Sequence, residues 1–332
     1  GRDNIMLVVC GSATSWILSN LSRNRGGLYG RLTCEIKLSP FNLKECEDYF
    51  KNENIEMSRY DIVQSYMVFG GIPYYLSYFK KGMSFEGNAD NILFGKNPRL
   101  KDEFNRLFNA IFSNPEDCKK IIRLLAKKHV GFTREEIAKE TGLPFGGGLT
   151  DTLNALVESD FIQRYRPYNV SGKVSFYKLI DNFSLFWLKY VEPNTEDINF
   201  MTDNMTSNIM RVWRGVAFEE VCWQHIGQIK RALGISGVSS SISAWSVKGN
   251  DNKEGVQIDL LIIRNDNVVN LCEMKFAGDI YSIDKEEDAK IRNRIQTLIN
   301  TLSPKQSVHL TMITTYGVSH TMYGGRVQQQ VI

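Results

Sequence analysis

The clearest pattern of apolar and polar positions lies between Val256 and Phe276, which reads VQIDLLIIRNDNVVNLCEMKF. Val, Ile and Leu dominate the segment, and the polar residues Asn265 to Asn267 interrupt it, which predicts a β-hairpin. Alternation along the second strand places Glu273 and Lys275 on one face. The hairpin therefore carries an acid and a base side by side on one face of a predicted sheet.

The length of the hairpin loop decides where Asp259 points. A three-residue loop pairs Arg264 with Val268 and puts Asp259 opposite Glu273, with Cβ atoms about 5 Å apart. Two facing carboxylates repel each other, and a divalent cation such as Mg²⁺ removes the repulsion. Lys275 is then placed to orient a water molecule or to neutralise charge on a phosphate. A two-residue loop, or a plain ion pair between Asp259 and Lys275, is the alternative.

The segment Met210 to Leu233 has helical periodicity. Glu219 falls on its apolar stripe, whose other members are Val212, Val216, Trp223 and Ile226. A helix Glu, a strand Asp and a strand Glu-x-Lys in this order resemble the PD-(D/E)XK nuclease fold. We expect Glu219, Asp259 and Glu273 to converge on one Mg²⁺ or Mn²⁺ ion, and these three with Lys275 to be the catalytic residues.

The middle of the chain predicts a winged helix-turn-helix. Residues Thr133 to Glu136 form a capping box, which starts a short helix that ends at Gly142. Leu149 to Ser159 supply the second helix. The segments Phe161 to Tyr168 and Val174 to Ile180 then pair as the wing.

Basic residues on or near the wing are candidates for contacts with nucleic-acid phosphates. They are Arg164, Arg166 and Lys173. The second helix has no Lys or Arg and carries the acids Asp151 and Glu158. A role in packing domains together is therefore as well supported as a role in reading bases.

The N-terminal part of the chain has two further patterns. An apolar run ends in the small polar residues Gly11 to Thr14, which predicts a buried strand followed by a phosphate-facing loop. Tyr60 to Phe79 has helical spacing around a break at Gly70-Gly71, and Pro73 suits the first turn of the next helix. We expect this region to be helical.

Several segments together resemble the archaeal-type ATPase family of archaea and Bacteroidetes, along nearly the whole chain. They are GGLYGRLTCEIKLSPFNLKECEDYF, YMVFGGIPYYLSYF, GFTREEI, FEEVCWQHIGQIKRALGI, QIDLLI, LCEMKF and TTYG. The family joins an AAA+-like ATPase to a winged helix and a C-terminal nuclease-like domain. The resemblance implies a multidomain α+β and α/β fold: the end of an ATPase core (1–50), a helical lid (51–103), a winged-helix domain with its connecting helix (104–192) and a nuclease-like domain (193–332).

The resemblance also shows what the chain lacks. It has no G-x-x-x-x-G-K-[ST] loop and no strand ending in paired acids, both of which the family carries upstream. By analogy, Ser12 reads the γ-phosphate of ATP and Arg31 stabilises charge in the full-length protein; a surface arginine is the alternative for Arg31. We expect a fragment without ATPase activity of its own, and a homo-oligomer only when the ATPase is complete.

Composition narrows the possible classes. The 332 residues suffice for two to three domains, and the net charge of +3 does not by itself indicate a nucleic-acid-binding protein. Six cysteines include no C-x-x-C pair, which argues against a zinc knuckle or a redox motif. No apolar run approaches about 18 residues, so we expect a soluble cytoplasmic protein with no membrane partner. His225 and His309 are predicted to be structural.

Two hypotheses follow from the sequence. In the first, the C-terminal region is a metal-dependent phosphodiesterase that acts on nucleic acid under the control of an ATPase. In the second, its nuclease-like fold only binds, and the complete protein is an ATP-driven regulatory or interaction switch. A basic side on the predicted helix Ile283 to Asn300 suits either hypothesis; it comprises Lys285, Lys290, Arg292 and Arg294.

Overall fold

A computed structural model of the chain describes residues 36–169, 174–194, 196–247, 249 and 255–332, together with positions 6, 8, 10, 11, 33 and 34. Three residues with predicted roles, Ser12, Arg31 and Lys173, lie outside the described residues.

The first described elements are helical. They are α1 (Leu43–Asn52), α2 (Arg59–Phe69), α3 (Pro73–Leu76), α4 (Phe85–Ala89), a π-helical turn (Asp90–Phe94) and α5 (Glu103–Ile111). The predicted break is present, because α2 ends at Phe69 and Gly70 adopts a φ of 63°. Glycine reaches this left-handed region without strain, so it ends the helix there. Pro73 begins α3, as predicted.

A second group combines helices with a three-stranded antiparallel sheet of order β1-β3-β2. Its elements are α6 (Pro115–Leu125), β1 (Phe132–Thr133), α7 (Arg134–Thr141), α8 (Gly147–Glu158), β2 (Ile162–Tyr165) and β3 (Phe176–Leu179). The predicted capping box is present: Thr133 and Glu136 each accept a hydrogen bond from the other's backbone N–H. The helix ends before Gly142, also as predicted. The winged-helix assignment and the domain boundaries themselves stay predictions.

The C-terminal half is built around a five-stranded mixed sheet. Its elements are α9 (Asn182–Phe186), a π-helical turn (Trp187–Val191), α10 (Phe200–Asn204), α11 (Asn208–Gln224), α12 (Ile226–Ala232), β4 (Ser240–Val247), β5 (Val256–Arg264), β6 (Val268–Lys275), α13 (Lys285–Ile299), β7 (Ser307–Thr314), a 3₁₀ turn (Gly324–Arg326) and β8 (Gln329–Val331). The strand order is β4-β5-β6-β7-β8, antiparallel up to β6 and parallel from there on. A parallel pair needs a crossover connection, and α13 supplies it between β6 and β7.

The hairpin between β5 and β6 has the predicted three-residue loop. Leu260 pairs with Cys272 and Ile263 with Val269, a register that places the loop at residues 265–267. Asn267 adopts a φ of 65°, a left-handed conformation that asparagine tolerates better than most residues. The polar break in the sequence therefore fixed the register of this pair correctly.

A β-bulge in β5 was not predicted. Ser243 and Trp245 on β4 pair with Leu261 and Ile258 on β5, so β5 holds one extra residue in this stretch. The extra residue shifts the alternation of side chains. In a regular strand Ile258 would share a face with Leu260. Here Ile258 packs in the same apolar cluster as Leu261, which lies three residues later, and Leu260 packs in the other cluster. Asp259 lies inside this bulge.

Two apolar clusters cover the two faces of the sheet. The larger one joins α11 and its face of the sheet to the helices and the three-stranded sheet before it, and Trp213 and Trp223 are its largest buried side chains. The smaller one lies between α13 and the other face. Each fully buried large side chain contributes roughly 1.5–3 kcal/mol. None of the helices within the described residues is long and apolar enough to cross a membrane.

Candidate functional site

Glu273 is buried near the end of β6 and faces α13. Only 8% of the residue is exposed, and Arg294 Nη1 donates to its two carboxylate oxygens at 3.0 and 3.1 Å. Burial raises the pKa of Glu273 to about 7, although the positive charges of Arg294 and Lys275 act to lower it. The carboxyl group is thus poised to gain or lose a proton near neutral pH.

Lys275 lies two residues further along the same face. Its Nζ is 2.7 Å from Glu287 Oε1. Burial lowers the pKa of Lys275, but the Glu287 carboxylate raises it, and the net shift is upward. Glu287 and Arg294 are seven residues apart, two turns of α13, and so lie on one face of that helix. One helix therefore supplies an opposite charge to each residue of the Glu-x-Lys motif.

The bulge turns Asp259 away from Glu273. Gln257 Nε2 donates to Asp259 Oδ1 at 2.6 Å, which places the two side chains on one face, opposite Ile258. Because Ile258 belongs to the cluster under α13, Asp259 lies on the α11 side of the sheet. Trp223 on α11 donates its indole N–H to the Asp259 carbonyl at 2.9 Å, which agrees with this placement.

Glu219 on α11 pairs with a histidine that the sequence reasoning did not consider. Its Oε2 lies 2.7 Å from His129 Nε2. Burial raises the pKa of Glu219 and the negative charge of Asp259 adds to the shift, whereas the contact with His129 lowers it. The predicted stripe was wrong in part, because Val212 is 53% exposed and Glu219 is only half-buried.

The fully buried acid on α11 is Glu220, which the sequence analysis missed. Its Oε1 lies 2.9 Å from Lys178 Nζ and 3.1 Å from His129 Nδ1, and the residue has no exposed surface. The apolar stripe could have identified it, since Trp213, Ala217 and Glu220 follow each other at helical spacing. The stripe through Val212 selects Glu219 as the buried acid, one residue before Glu220.

Both ring nitrogens of His129 face a carboxylate, Glu219 on one side and Glu220 on the other. Nε2 is hydrogen-bonded to Glu219, and Nδ1 lies 3.1 Å from Glu220 Oε1, so two negative charges flank the ring and favour its positively charged form. Burial lowers the pKa of His129, but the two carboxylates raise it, and the net shift is upward. The α11 face thus holds a compact charged cluster of His129, Lys178, Glu219 and Glu220.

The predicted convergence of three carboxylates on one metal ion is not observed. Glu273 lies on the α13 face, whereas Asp259 and Glu219 lie on the α11 side. In the described part of the chain, no group of three or more His, Cys, Asp and Glu side chains is arranged to hold a metal ion. The physical reason is the bulge, which reverses the direction of Asp259, together with the arginine that already neutralises Glu273. Binding of Mg²⁺ or Mn²⁺ by these residues therefore stays a prediction.

The two described arginines of the predicted wing line an open cleft of about 380 Å³, together with Tyr165 and Ser175. Arg164 and Arg166 are exposed, and neither forms an ion pair with a described residue. On α13, by contrast, Arg294 forms an ion pair with Glu273, and Arg292 forms one with Asp288 at 3.1 Å.

His225 is structural, as predicted. Its Nε2 accepts a hydrogen bond from the Leu43 N–H at 2.9 Å, and its Nδ1 lies 2.7 Å from the Val221 carbonyl. Burial lowers the pKa of His225, which favours the neutral ring that this pattern requires. The residue also ends α11, so the helix predicted from Met210 to Leu233 is two helices.

Comparisons with known proteins give few relatives. No protein-family model matches the chain. An uncharacterized protein of Methanocaldococcus jannaschii is 27% identical over 266 residues, which cover 79% of this chain and 57% of that protein. A Walker-type ATPase of Pyrococcus abyssi is similar over 54% of this chain and 51% of its own, at 18% identity and a TM-score of 0.34. The chain thus spans a little over half the length of these proteins, and a TM-score of this size does not establish a shared fold.

Proposed function

We propose that this chain is part of an ATP-binding protein, and that its sheet-bearing half binds nucleic acid through a nuclease-like fold without cleaving it. The observation that carries the second part is the pairing of Glu273 and Lys275 with Arg294 and Glu287. In a cleaving site of this type the acid would bind a metal ion and the lysine would face the substrate. Both charges are instead neutralised by one helix of the same chain.

The ATP-binding part of the proposal rests on the sequence resemblance alone. Ser12 would read the γ-phosphate and Arg31 would stabilise charge, but only together with a phosphate-binding loop that this chain does not contain. ATP as a cofactor, and assembly into a homo-oligomer, are therefore proposals for the complete protein. The function of such a protein would be that of a regulatory or interaction switch.

A second candidate function is metal-dependent cleavage of nucleic acid by Glu219, Asp259, Glu273 and Lys275. One observation favours it: the negative charge of Asp259 contributes to the raised pKa of both Glu219 and Glu273. Asp259 is therefore within electrostatic range of each of the other two carboxylates, although the three lie on two sides of the sheet.

One experiment separates the two candidates. The chain is incubated with fluorescent single-stranded and duplex oligonucleotides, first in EDTA and then with Mg²⁺ or Mn²⁺, next to a Glu273→Ala variant. We expect binding in EDTA and no metal-dependent cleavage beyond that of the variant. Cleavage that requires the metal and disappears in Glu273→Ala would overturn the non-cleaving proposal in favour of the second candidate.

A further inference from the structure

The cleft beside β2 has the chemistry of an anion-binding site. Arg164 and Arg166 are two residues apart on one extended segment, so their side chains lie on the same side of it. The residue between them is turned the other way: Tyr165 is buried, and its hydroxyl donates to the Val130 carbonyl at 2.7 Å. Ser175, on the neighbouring strand segment, adds a hydroxyl group to the cleft. Two arginines without an acidic partner among the described residues are available for an anion.

This segment is fixed to the edge strand of the five-stranded sheet. Ser243 Oγ donates to the Arg166 carbonyl at 2.8 Å, and the Tyr168 N–H donates to the Ala244 carbonyl at 3.0 Å. The two arginines therefore do not stand on a free hairpin. Their backbone is hydrogen-bonded to β4, so the cleft and the C-terminal sheet form one surface.

The point of attachment is the strand position that faces the bulge. Ala244 lies between Ser243 and Trp245, opposite the extra residue of β5, where Asp259 and Leu260 are found. Behind the arginines, the Tyr165 ring lies 5.4 Å from the Trp223 ring, and Trp223 donates to the Asp259 carbonyl. The arginine cleft is thus adjacent to the acidic residues of the candidate site on the α11 side.

The chemistry favours a phosphodiester backbone over other anions. A guanidinium group binds phosphate oxygens through two parallel N–H donors. Two neighbouring arginines can therefore each bind one phosphate of the same strand. Among the described residues that line the cleft, the aromatic one is Tyr165, and it is buried, so we expect recognition of the backbone and not of the sequence.

We infer that Arg164 and Arg166 form a phosphate-binding site for a nucleic-acid strand. This inference rests on the proposed binding of nucleic acid, and it adds the place and the mode of that binding. It does not depend on cleavage.

The test measures oligonucleotide affinity by fluorescence anisotropy in EDTA over a series of salt concentrations. The variant is Arg164→Ala with Arg166→Ala, and the matched control is Arg99→Ala with Arg106→Ala, two exposed arginines at and near α5. Loss of two phosphate contacts should weaken binding of every sequence and lower the slope of log K against log salt by up to about 1.5. The control pair should change neither quantity by a comparable amount.

Two further arms make the outcome decisive. Arg164→Lys with Arg166→Lys keeps the charge but not the two parallel donors, so it should keep most of the salt slope and lose part of the affinity. Inorganic phosphate at millimolar concentration should compete only weakly if the site is built for a strand, and strong competition would overturn the assignment to nucleic acid. Unchanged binding by the Arg164→Ala, Arg166→Ala variant would overturn this inference alone, whereas absence of oligonucleotide binding by the unmodified chain would overturn it together with the proposed function.

Discussion

The two faces of the five-stranded sheet hold their buried acids in different ways. On the α11 face, Glu220 is paired with Lys178 and His129, which come from the three-stranded sheet and from the loop after α6. On the α13 face, Glu273 is paired with Arg294, which belongs to the next helix along the chain. The first arrangement joins two regions that are distant in sequence, whereas the second compensates charge within one strand-helix unit.

The difference teaches that burial alone does not decide how the charge of an acid is compensated. Glu220 has no exposed surface and is held by two basic groups, so its charge stabilises the contact between α11 and the three-stranded sheet only while both partners remain. Glu273 has one arginine partner and a pKa raised by burial to about 7, so it can take up a proton instead. The α11 face should therefore respond most to mutation, and the α13 face most to pH.

Glu220→Ala should have the largest effect on stability. The substitution leaves Lys178, whose side chain is 6% exposed, without its carboxylate, and it removes one of the two partners of His129. Removing one member of a buried ion pair costs about 3–5 kcal/mol. Urea unfolding followed by circular dichroism at pH 7 measures the loss.

The neighbouring position provides the matched control. Glu219→Ala removes a side chain that is 22% exposed, and His129 keeps its contact with Glu220. The loss should be clearly smaller, about 1 kcal/mol. Equal losses for the two variants would mean that Glu220 carries no special role and that the two faces do not differ as described.

Glu273 should give the protein a marked pH dependence. The folded protein holds this proton more tightly than the unfolded chain, because the pKa rises from 4.5 to about 7. Its contribution to the free energy of unfolding is therefore full below pH 4.5 and is lost as the pH rises through 7. A shift of this size corresponds to about 3 kcal/mol. Glu273→Gln cannot ionise, so its unfolding free energy should fall less between pH 4.5 and 8.

Glu286→Gln is the control for that measurement. Glu286 lies on α13 at an exposed position, so its neutralisation should leave the pH profile of the unmodified chain nearly unchanged. Parallel profiles for Glu273→Gln and the unmodified chain would show that Glu273 does not titrate between these pH values.

The sequence predicted local features well. The polar run at residues 265–267 gave the loop length and the register of β5 with β6, and the Thr133 capping box gave the start of α7. Both features depend on neighbours a few residues away. Features of this kind can therefore be predicted from a single sequence.

Features that depend on distant partners were missed. The bulge at Asp259 is a mismatch between β5 and β4, and nothing in either strand alone reveals it. Choosing Glu219 over Glu220 required knowledge of which helix face meets Lys178, more than 40 residues earlier in the chain. The metal site stays a prediction, and its geometry assumed a regular alternation where the sheet is irregular.

Arg294→Ala should have the smallest effect of the three main variants, and it tests whether the α13 face responds to pH through its ion pair. Without the guanidinium, the pKa of Glu273 should rise further, because the cation that lowers it is gone. At pH 5 the carboxyl group is already largely protonated, so little stability is lost. At pH 8 the unpaired carboxyl group must either ionise in a buried site or hold its proton above its ordinary pKa. Both cost free energy, and the free energy of unfolding should fall by about 1–2 kcal/mol.

Arg292→Ala is the control. The Arg292 side chain is half exposed, and its partner Asp288 keeps its ion pair with Arg326 at 2.9 Å. Its effect should stay within about 0.5 kcal/mol at both pH values. If the two arginine variants behave alike at pH 8, Arg294 contributes no more than a surface ion pair, and Glu273 would then be free to take another cation.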